Sequence, residues 1–284
     1  VKFILDDNNN PIDVYFKKNL STNHLIEEFM LLANKTVAKH IGFPKKEAKN
    51  FVYRVHDTPD GDRIATLNNI VKKLGYFINS GSPGKLSQSL NNLLKNVRGK
   101  NEQQMVETLT IRSMAKAVYT TNNIGHYGLA FDYYSHFTSP IRRYPDLIVH
   151  RLLSHYIDGG KSTDKEVLEK ICKHCSEMEK VASSAERDSI KYMQVKFLKN
   201  KIGEVFDGVI SGVTEWGLYV EITQNKCEGL VKVSSIKNDH YVFDEKKYAL
   251  IGYRTKVSYQ LGQKVKIKIQ KADLERKQMD FILV

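Results

Sequence analysis

The feature that most constrains the fold is a change of pattern at Gly203. From there to the end of the chain, short runs alternate apolar and polar residues, and glycines separate the runs. These runs are Gly203–Val209, Gly217–Ile222, Gly229–Lys232, Lys264–Ile269 and Met279–Val284. Five short, evenly patterned strands with glycine between them predict a small five-stranded β-barrel of the oligonucleotide-binding type.

Before Gly203 the pattern is mainly helical, so we expect an α+β chain with two domains, residues 1–202 and 203–284. Apolar residues recur with a helical period, and Gly, Pro and Asn-rich segments interrupt them. The predicted helices cover residues 21–41, 58–74, 87–97, 103–119 and 165–201. Alternating runs predict a hairpin from Val1–Leu5 and Ile12–Phe16 and a strand at Phe51–His56.

The charge of the chain indicates a polyanionic partner. The net charge is +12 and the isoelectric point is about 9.3. Residues 203–284 hold 13 basic and 11 acidic residues, a net +2, which leaves +10 for residues 1–202. A large basic excess is typical of nucleic-acid-binding proteins, and here it lies in the helical part.

Several classes of protein are disfavoured. No apolar run approaches the ~20 residues of a membrane helix, and the first residues read as a strand and turn, not as a signal peptide. The absence of an initiating Met indicates a piece of a longer protein. The three cysteines form no disulfide framework, which we expect of a reducing cytoplasm. We also expect a monomer.

Residues 126–153 combine aromatic residues, small hydroxyls, two adjacent arginines and an apolar helix. The helix is predicted to begin at Ser139-Pro140 or at Tyr144-Pro145. In both cases Arg142 and Arg143 lie beside its positive end, which a bound anion such as phosphate would stabilise. The alternative is a solvated helix face on which Arg142 pairs with Asp146 at the i,i+4 spacing.

The barrel carries aromatic and basic residues that suit a single-stranded nucleic acid. Aromatic rings with lysines between them form a platform on which bases stack. The candidates are Phe206, Trp216, Tyr219, Lys232, His240, Lys266 and Lys268. The alternative places Phe206 and one of Trp216 or Tyr219 in the barrel core, while alternation puts Lys266 and Lys268 outside.

Metal sites receive little support from the residues alone. Asp6, Asp7 and Asp13, like the aspartates near Thr58, fit turns better than a metal cluster. Cys172-Lys173-His174-Cys175 suggests a structural zinc site, but zinc needs four ligands and no second pair exists. Cys175 also fits the apolar stripe of the predicted helix.

Five blocks, in order along the chain, closely resemble one enzyme family. His126–Leu129 and His136–Leu147 resemble the second signature of the ribonuclease II/ribonuclease R exoribonucleases. Leu25–Asn34, Tyr53–His56 and Ala185–Asp188 agree with further family blocks. The Arg-Arg-Tyr-Pro-Asp sequence resembles the ribonuclease R branch, and residues 203–284 resemble the S1 RNA-binding domain that follows the catalytic domain.

The resemblance implies processive 3′→5′ degradation of single-stranded RNA to nucleoside 5′-monophosphates with two divalent metal ions, Mg²⁺ in the parent enzyme. Arg142 then contacts the scissile phosphate, and Arg143 is a neighbouring phosphate contact. Glu186 lies beside the 3′-terminal nucleotide and Glu27 near a sugar, although Glu27 and Glu28 alternatively complement the helix N-terminus. Residues expected to line the RNA channel are His126, Tyr127, Thr138 and Ser139.

One departure from the family limits this reading. The aspartate cluster that holds the metals belongs to a first signature upstream in the family, and no such cluster occurs here. We therefore expect the 284-residue chain to bind RNA without hydrolysing it. Two alternatives remain, a non-catalytic RNA-binding module and a structural zinc protein built on Cys172 and Cys175.

Overall fold

The computed structural model describes residues 2–43, 48–100, 102–244 and 248–284. The α-helices of this part are α1 (Ser21–Gly42), α2 (Gly61–Lys73), α3 (Pro83–Val97), α4 (Gln103–Ser113), α5 (Tyr144–Ile157) and α6 (Lys165–Leu198). The strands before the barrel are β1 (Lys2–Leu5), β2 (Pro11–Tyr15), β3 (Tyr53–Val55) and β4 (Val118–Thr120). Strands β5 to β12 are Val205–Thr214, Gly217–Ile222, Glu228–Lys232, Tyr241–Asp244, Ala249–Gly252, Ser258–Gln260, Lys264–Asp273 and Gln278–Leu283.

The contacts divide the chain into two compact units. One unit comprises residues 18–60 and 114–184, and the other comprises residues 1–17, 61–113 and 185–284. No helix in the described part of the chain is long and apolar enough to cross a membrane.

The first unit is built around a mixed core of α1, the β3–β4 pair, α5 and the first part of α6. Its buried members include Ala38, Phe51, Tyr119, Val149 and Cys172. The apolar period of α1 becomes buried only from Asn34 onward, and the first half of the helix keeps most of its apolar side chains exposed.

The second unit contains a closed barrel with the strand order β11-β12-β7-β6-β5. Alternation along these strands places one set of side chains inside, where Ile210, Leu218, Val220, Ile267 and Phe281 are at most 1% exposed. The expectation of an α+β chain with a five-stranded barrel is confirmed. The same unit holds the β1–β2 hairpin and helices α2, α3 and α4.

Two parts of the fold differ from the predictions. The predicted helix over residues 103–119 is wrong beyond Ser113, because Val118, Tyr119 and Thr120 form β4 and pair with β3. Such β-branched and aromatic residues suit a strand that packs on a core. Strands β8, β9 and β10 form an additional antiparallel sheet that the sequence pattern did not predict.

The remaining elements follow the predictions closely. The hairpin forms as β1 and β2, although Val1 lies outside the described residues. Helix α3 starts earlier than predicted because Ser82 caps it and Pro83 occupies its first turn. The first barrel strand extends to Thr214, with a register shift after Ile210.

Candidate functional site

The segment that carries His126 and Tyr127 is held by His56, the residue that follows β3. The amide of Tyr127 donates to the His56 carbonyl at 2.9 Å, and the amide of Gly128 donates to His56 Nδ1 at 3.1 Å. The rings of His56 and His126 stack with centroids 5.1 Å apart. Ala130 closes this turn in the left-handed conformation, with φ of 55°. A non-glycine residue rarely adopts that conformation, so the surrounding contacts fix this loop.

Two histidines of the segment are neutral at pH 7. Burial lowers the pKa of His126 to about 4, and His56 and Arg54 lower it further. Burial, followed by the charges of Arg143 and Arg54, lowers the pKa of His136 to about 3. Both side chains therefore act as neutral hydrogen-bonding groups near positive charge.

Arg54 and Tyr119 connect the β3–β4 pair to the same segment. The Arg54 guanidinium binds Glu179 through two contacts of 2.6 and 2.9 Å. It also lies over the Tyr119 ring, 4.5 Å from the centroid. Burial raises the pKa of Tyr119, so its hydroxyl stays protonated, and the hydroxyl oxygen lies 2.8 Å from His136 Nδ1, within hydrogen-bond distance.

Helices α1 and α5 fix the aromatic residues that precede the arginines. Asn34, buried on α1, donates to the Tyr134 hydroxyl at 3.1 Å and accepts from the Phe137 amide at 3.0 Å. His150 of α5 stacks on Phe137 with centroids 4.0 Å apart and contacts the Phe137 carbonyl at 2.8 Å. A polar residue within the apolar stripe of α1 was the available sequence signal for Asn34.

Helix α5 begins at Tyr144, so the second of the two predicted helix starts is correct. Arg143 is the N-cap residue, Pro145 lies in the first turn, and Asp146 is the third helical residue. Asp146 is fully buried and accepts from Arg143 Nη2 at 2.8 Å and from the Ser139 amide at 2.8 Å. The predicted i,i+4 pair of Arg142 with Asp146 is wrong, because Arg143 at i,i+3 forms the ion pair.

Arg142 is the exposed member of the arginine pair. Its guanidinium contacts the Ser139 hydroxyl at 3.4 Å and otherwise faces solvent. Thr138 and Ser139 lie half-buried just before it. The structure therefore brings Thr138, Ser139, Arg142 and Arg143 together at the N-terminus of α5, where a helix attracts anions.

The two candidate glutamates lie on other helices. Glu27 is exposed on α1 and pairs with His24 at 3.3 Å. Because α1 begins at Ser21 and has no acidic residue in its first turn, the idea that Glu27 and Glu28 complement its N-terminus is wrong. Glu186 is exposed on α6, within the unit that contains the barrel.

The aromatic candidates on the barrel are accessible. Trp216 is 55% exposed, and its indole N–H donates to the Tyr219 hydroxyl at 3.3 Å. Tyr219 is half-buried and alternates with the buried Leu218 and Val220, so the part of the alternative that placed Trp216 or Tyr219 in the core is wrong. Phe206 is half-buried on the inward face of β5, as that alternative expected. Alternation turns the Tyr219 ring away from the fully buried interior, whereas Phe206 lies opposite the buried Ile267.

The basic candidates of the barrel are also exposed. Lys232 pairs with Asp280 at 2.7 Å and lies opposite Gly217, next to Trp216. Lys266, Lys268 and His240 are exposed, as the alternation predicted for the two lysines. Lys232 thus lies beside the Trp216 and Tyr219 rings, whereas Lys266 and Lys268 lie on β11, opposite Asp207 and Val205 of β5.

The described residues bring together no set of ligands for a two-metal site. Within the described ranges, no three His, Cys, Asp or Glu side chains come together as possible metal ligands. Asp6 instead accepts from the amides of Asn8 and Asn10 in a turn. Cys172 and Cys175 are buried in the apolar core, where burial raises the pKa of Cys172 to about 12. Among the described residues no third ligand joins them, whereas a structural zinc site needs four.

Comparison with known proteins identifies the class. The family model described as RNB domain matches residues 1–159, and the model described as S1 RNA binding domain matches residues 199–283. The chain therefore belongs to the RNB family of the ribonuclease II/ribonuclease R type, with an S1 domain after the RNB part. The division at residues 202 and 203 stays a prediction.

The similar proteins are ribonucleases R. The chain is 42% identical to ribonuclease R of Thermotoga maritima over 297 aligned positions, covering 100% of this chain and 40% of that protein. It is 38% identical to ribonuclease R of Aquifex aeolicus, covering 99% of this chain and 40% of the relative. The apo form of Mycoplasma genitalium RNase R superposes with a TM-score of 0.87 at 29% identity, covering 100% of this chain and 45% of that one. The chain thus spans about two fifths of the length of these relatives.

Proposed function

We propose that the parent protein is a 3′→5′ exoribonuclease that hydrolyses single-stranded RNA to nucleoside 5′-monophosphates. The observation that carries this proposal is the exposed Arg142 guanidinium at the N-terminus of α5, on a segment that buried side chains hold in place. The relatives named ribonuclease R support this reading over a non-catalytic RNA-binding module.

In this proposal Arg142 contacts the scissile phosphate. A guanidinium donates two parallel hydrogen bonds to phosphate oxygens and stabilises the charge that develops there in the transition state. The positive end of α5 adds to the same potential. Arg143 is a neighbouring contact, and its pairing with Asp146 limits how freely it can move.

The other candidates line the path of the RNA. We assign four residues to the RNA channel, His126, Tyr127, Thr138 and Ser139. Their neutral imidazole, hydroxyl groups and aromatic ring suit contacts with the sugars and bases of RNA. We place Glu186 beside the terminal nucleotide and Glu27 near a sugar. Carboxylates accept hydrogen bonds from ribose hydroxyls, which is a way to distinguish RNA from DNA.

The barrel face is proposed to bind single-stranded RNA as well. Phe206, Trp216 and Tyr219 offer stacking surfaces, and Lys232 and Lys268 offer phosphate contacts. Mycoplasma genitalium RNase R has been solved in complex with ribose-methylated single-stranded RNA, which supports RNA as the partner. We further propose a cytoplasmic, monomeric parent protein.

Mg²⁺ is the proposed cofactor of the parent protein, with its ligands outside residues 1–284. The 284-residue chain should accordingly bind RNA without hydrolysing it. Incubation of the purified chain with labelled RNA and Mg²⁺ tests this expectation. Metal-dependent release of mononucleotides would refute it.

The parent protein tests the activity itself. RNA labelled at its 5′ or its 3′ end is incubated with the enzyme, with and without EDTA. We expect a 5′ label to remain on progressively shorter RNA, a 3′ label to leave at once as mononucleotide, and EDTA to stop both. Internal cuts or resistance to EDTA would contradict the proposal.

Arg142→Ala in the parent tests the role of the arginine. Loss of a contact made mainly in the transition state lowers kcat, whereas loss of a ground-state contact raises KM. We expect kcat to fall about 100-fold or more while RNA affinity changes only a few-fold. A pure binding defect would remove Arg142 from the catalytic step.

A further inference from the structure

We propose that Asp146 is a positioning residue for Arg142, acting through Ser139 and not by touching RNA. The inference rests on the proposed role of Arg142 and names the buried group that sets its geometry. It also gives adjacent arginines different functions, since Arg143 is the partner of the buried carboxylate and Arg142 is the exposed cation.

Asp146 is buried beside the N-terminus of α5 and the guanidinium of Arg143. It is the third residue of α5, where the free amides of the first turn create positive potential. Its side chain has no exposed surface, whereas that of Arg143 is 23% exposed. A buried carboxylate is retained only when it is paired, and here the guanidinium of Arg143 at 2.8 Å provides the pair.

One oxygen of this carboxylate makes both contacts. Oδ2 accepts from Arg143 Nη2 and from the Ser139 amide, each at 2.8 Å. Within the described residues, Oδ1 and Arg143 Nε are buried without a hydrogen-bond partner. A change at Oδ2 therefore affects the arginine and the Ser139 backbone together, because both contacts are made to this one oxygen.

Ser139 transmits this constraint to Arg142. The Ser139 carbonyl accepts from the Arg142 amide at 3.3 Å and from the Arg143 amide at 3.0 Å. The Ser139 hydroxyl contacts Arg142 Nη2 at 3.4 Å. The carboxylate thus fixes both the backbone from which Arg142 extends and the hydroxyl that touches its guanidinium.

This chain of contacts has a kinetic consequence. Displacement of a catalytic group by about 1 Å can cost about 100-fold in rate. Asp146→Asn removes the negative charge, so the Ser139 amide and Arg143 Nη2 both lose the charged acceptor that they share. We expect kcat of the parent enzyme to fall about 10-fold and KM for a short RNA to change by less than about three-fold.

A double-mutant cycle distinguishes positioning from a general loss of stability. The parent enzyme is assayed as wild type, Asp146→Asn, Arg142→Ala and the double variant. If Asp146 acts through Arg142, its substitution should lower kcat by less than about two-fold once Arg142 is absent. The same fold-loss in both backgrounds, or no loss in the wild-type background, would overturn the proposal.

Glu169→Gln is the matched control. Glu169 is also a carboxylate that holds a loop of the same unit, accepting from the Thr121 amide at 2.7 Å and from the Thr120 hydroxyl at 2.9 Å. Its contacts do not lead to Ser139, so kcat should stay within about two-fold of wild type. An equal loss of kcat in this control would mean that Asp146→Asn acts by loosening the unit.

A second variant is used if Asp146→Asn does not fold. Asp146→Glu keeps the charge but moves the carboxylate oxygen. Its effect on kcat must likewise shrink to less than about two-fold once Arg142→Ala is present.

RNA binding by the 284-residue chain gives a readout that needs no hydrolysis. Each phosphate contact contributes about 0.7 to the slope of log Kd against log salt for single strands. Arg142→Ala and Asp146→Asn should each reduce this slope by about 0.7, the value of one phosphate contact. The double variant should show no larger reduction than either single variant. Additive reductions would overturn the positioning role. An inactive wild-type parent would instead refute the proposed function, while this binding cycle would still decide the role of Asp146.

Discussion

At the residue scale, neighbours of the same type differ because their surroundings differ. Arg142 and Arg143 are adjacent, yet the second is the N-cap of α5 beside a buried carboxylate and the first is exposed. The motif predicts an anion site, and that site stays a prediction. The i,i+4 pairing failed because it assumed that the helix already includes Arg142, whereas α5 begins two residues later.

Trp216 carries the residue-scale prediction for the barrel. Its ring is 55% exposed and is oriented by the Tyr219 hydroxyl, as a stacking surface should be. Trp216→Ala should weaken binding of single-stranded RNA by about 1–3 kcal/mol, because that is the value of stacking one base on an aromatic ring. Fluorescence anisotropy with a labelled oligonucleotide measures the change.

Two controls make the Trp216 test specific. Trp216→Phe keeps a ring and should retain most of the affinity. Tyr253→Ala removes a ring that is 71% exposed but is not among the candidates, and it should leave affinity within about two-fold. Equal losses for Trp216→Ala and Tyr253→Ala would show a nonspecific effect of removing surface aromatics.

At the element scale, close packing of β7 against β12 explains one glycine of the barrel. A Cβ on Gly229 would lie 2.6 Å from the Phe281 ring, and Phe281 is only 1% exposed. Gly229→Ala should therefore lower the free energy of unfolding of the barrel by about 1–3 kcal/mol through overpacking. Urea titration followed by the single tryptophan, Trp216, reports on the barrel itself.

Gly84→Ala is the control for Gly229. A Cβ there meets nothing within 4 Å, and the residue lies in α3. Alanine is the better helix former, so the substitution should be neutral or stabilise by up to about 1 kcal/mol. A barrel that tolerates Gly229→Ala as well as this control would contradict the packing argument.

The buried histidines of the 126–143 segment predict a pH dependence of stability. The folded pKa values, about 4 for His126 and about 3 for His136, lie below the ordinary value of 6.5. The unfolded chain then binds more protons as the pH falls below about 6.5, so the free energy of unfolding decreases. The urea midpoint should be lower at pH 5 than at pH 7.

Between pH 5 and pH 7 the effect of these histidines on stability can be measured apart from that of the acidic groups. Hydrogen bonds from the Thr255 amide and hydroxyl hold the pKa of Asp239 below its ordinary value of 3.8. The contribution of Asp239 to the free energy of unfolding is therefore lost only below pH 4. His136→Gln should weaken the dependence between pH 7 and pH 5, whereas exposed His174→Gln should leave it unchanged. A midpoint that rises toward pH 5 would show that other groups dominate.

The sequence pattern predicted the strands and helices whose conformation depends on neighbouring residues in the chain. The barrel strands, α1 and α6 follow from alternation or a helical period, while β4 has only three residues and depends on pairing with β3. The same limit applies to the site. Asn34 holds Phe137 across 103 positions and His56 holds Gly128 across 72, and no local pattern reports such contacts.

At the scale of the whole molecule, the net charge of +12 determines how binding responds to salt. Lysines that touch phosphate release counterions, so log Kd changes linearly with log salt. If about five phosphates are neutralised, affinity should fall about 100-fold between 50 and 200 mM salt. A slope near zero would exclude a phosphate-based interface.

Substitutions that remove equal charge separate contact from net charge. Lys266→Gln with Lys268→Gln removes two exposed lysines of β11, and Lys72→Gln with Lys95→Gln removes two exposed lysines of α2 and α3. Phosphate contacts act at short range, whereas distant charges are screened beyond about 10 Å at 0.1 M salt. The β11 pair should therefore reduce the slope of log Kd against log salt by about 1.4, and the helix pair by less than about 0.5. Equal reductions would mean that the chain attracts RNA through its overall charge and that β11 is not a contact surface.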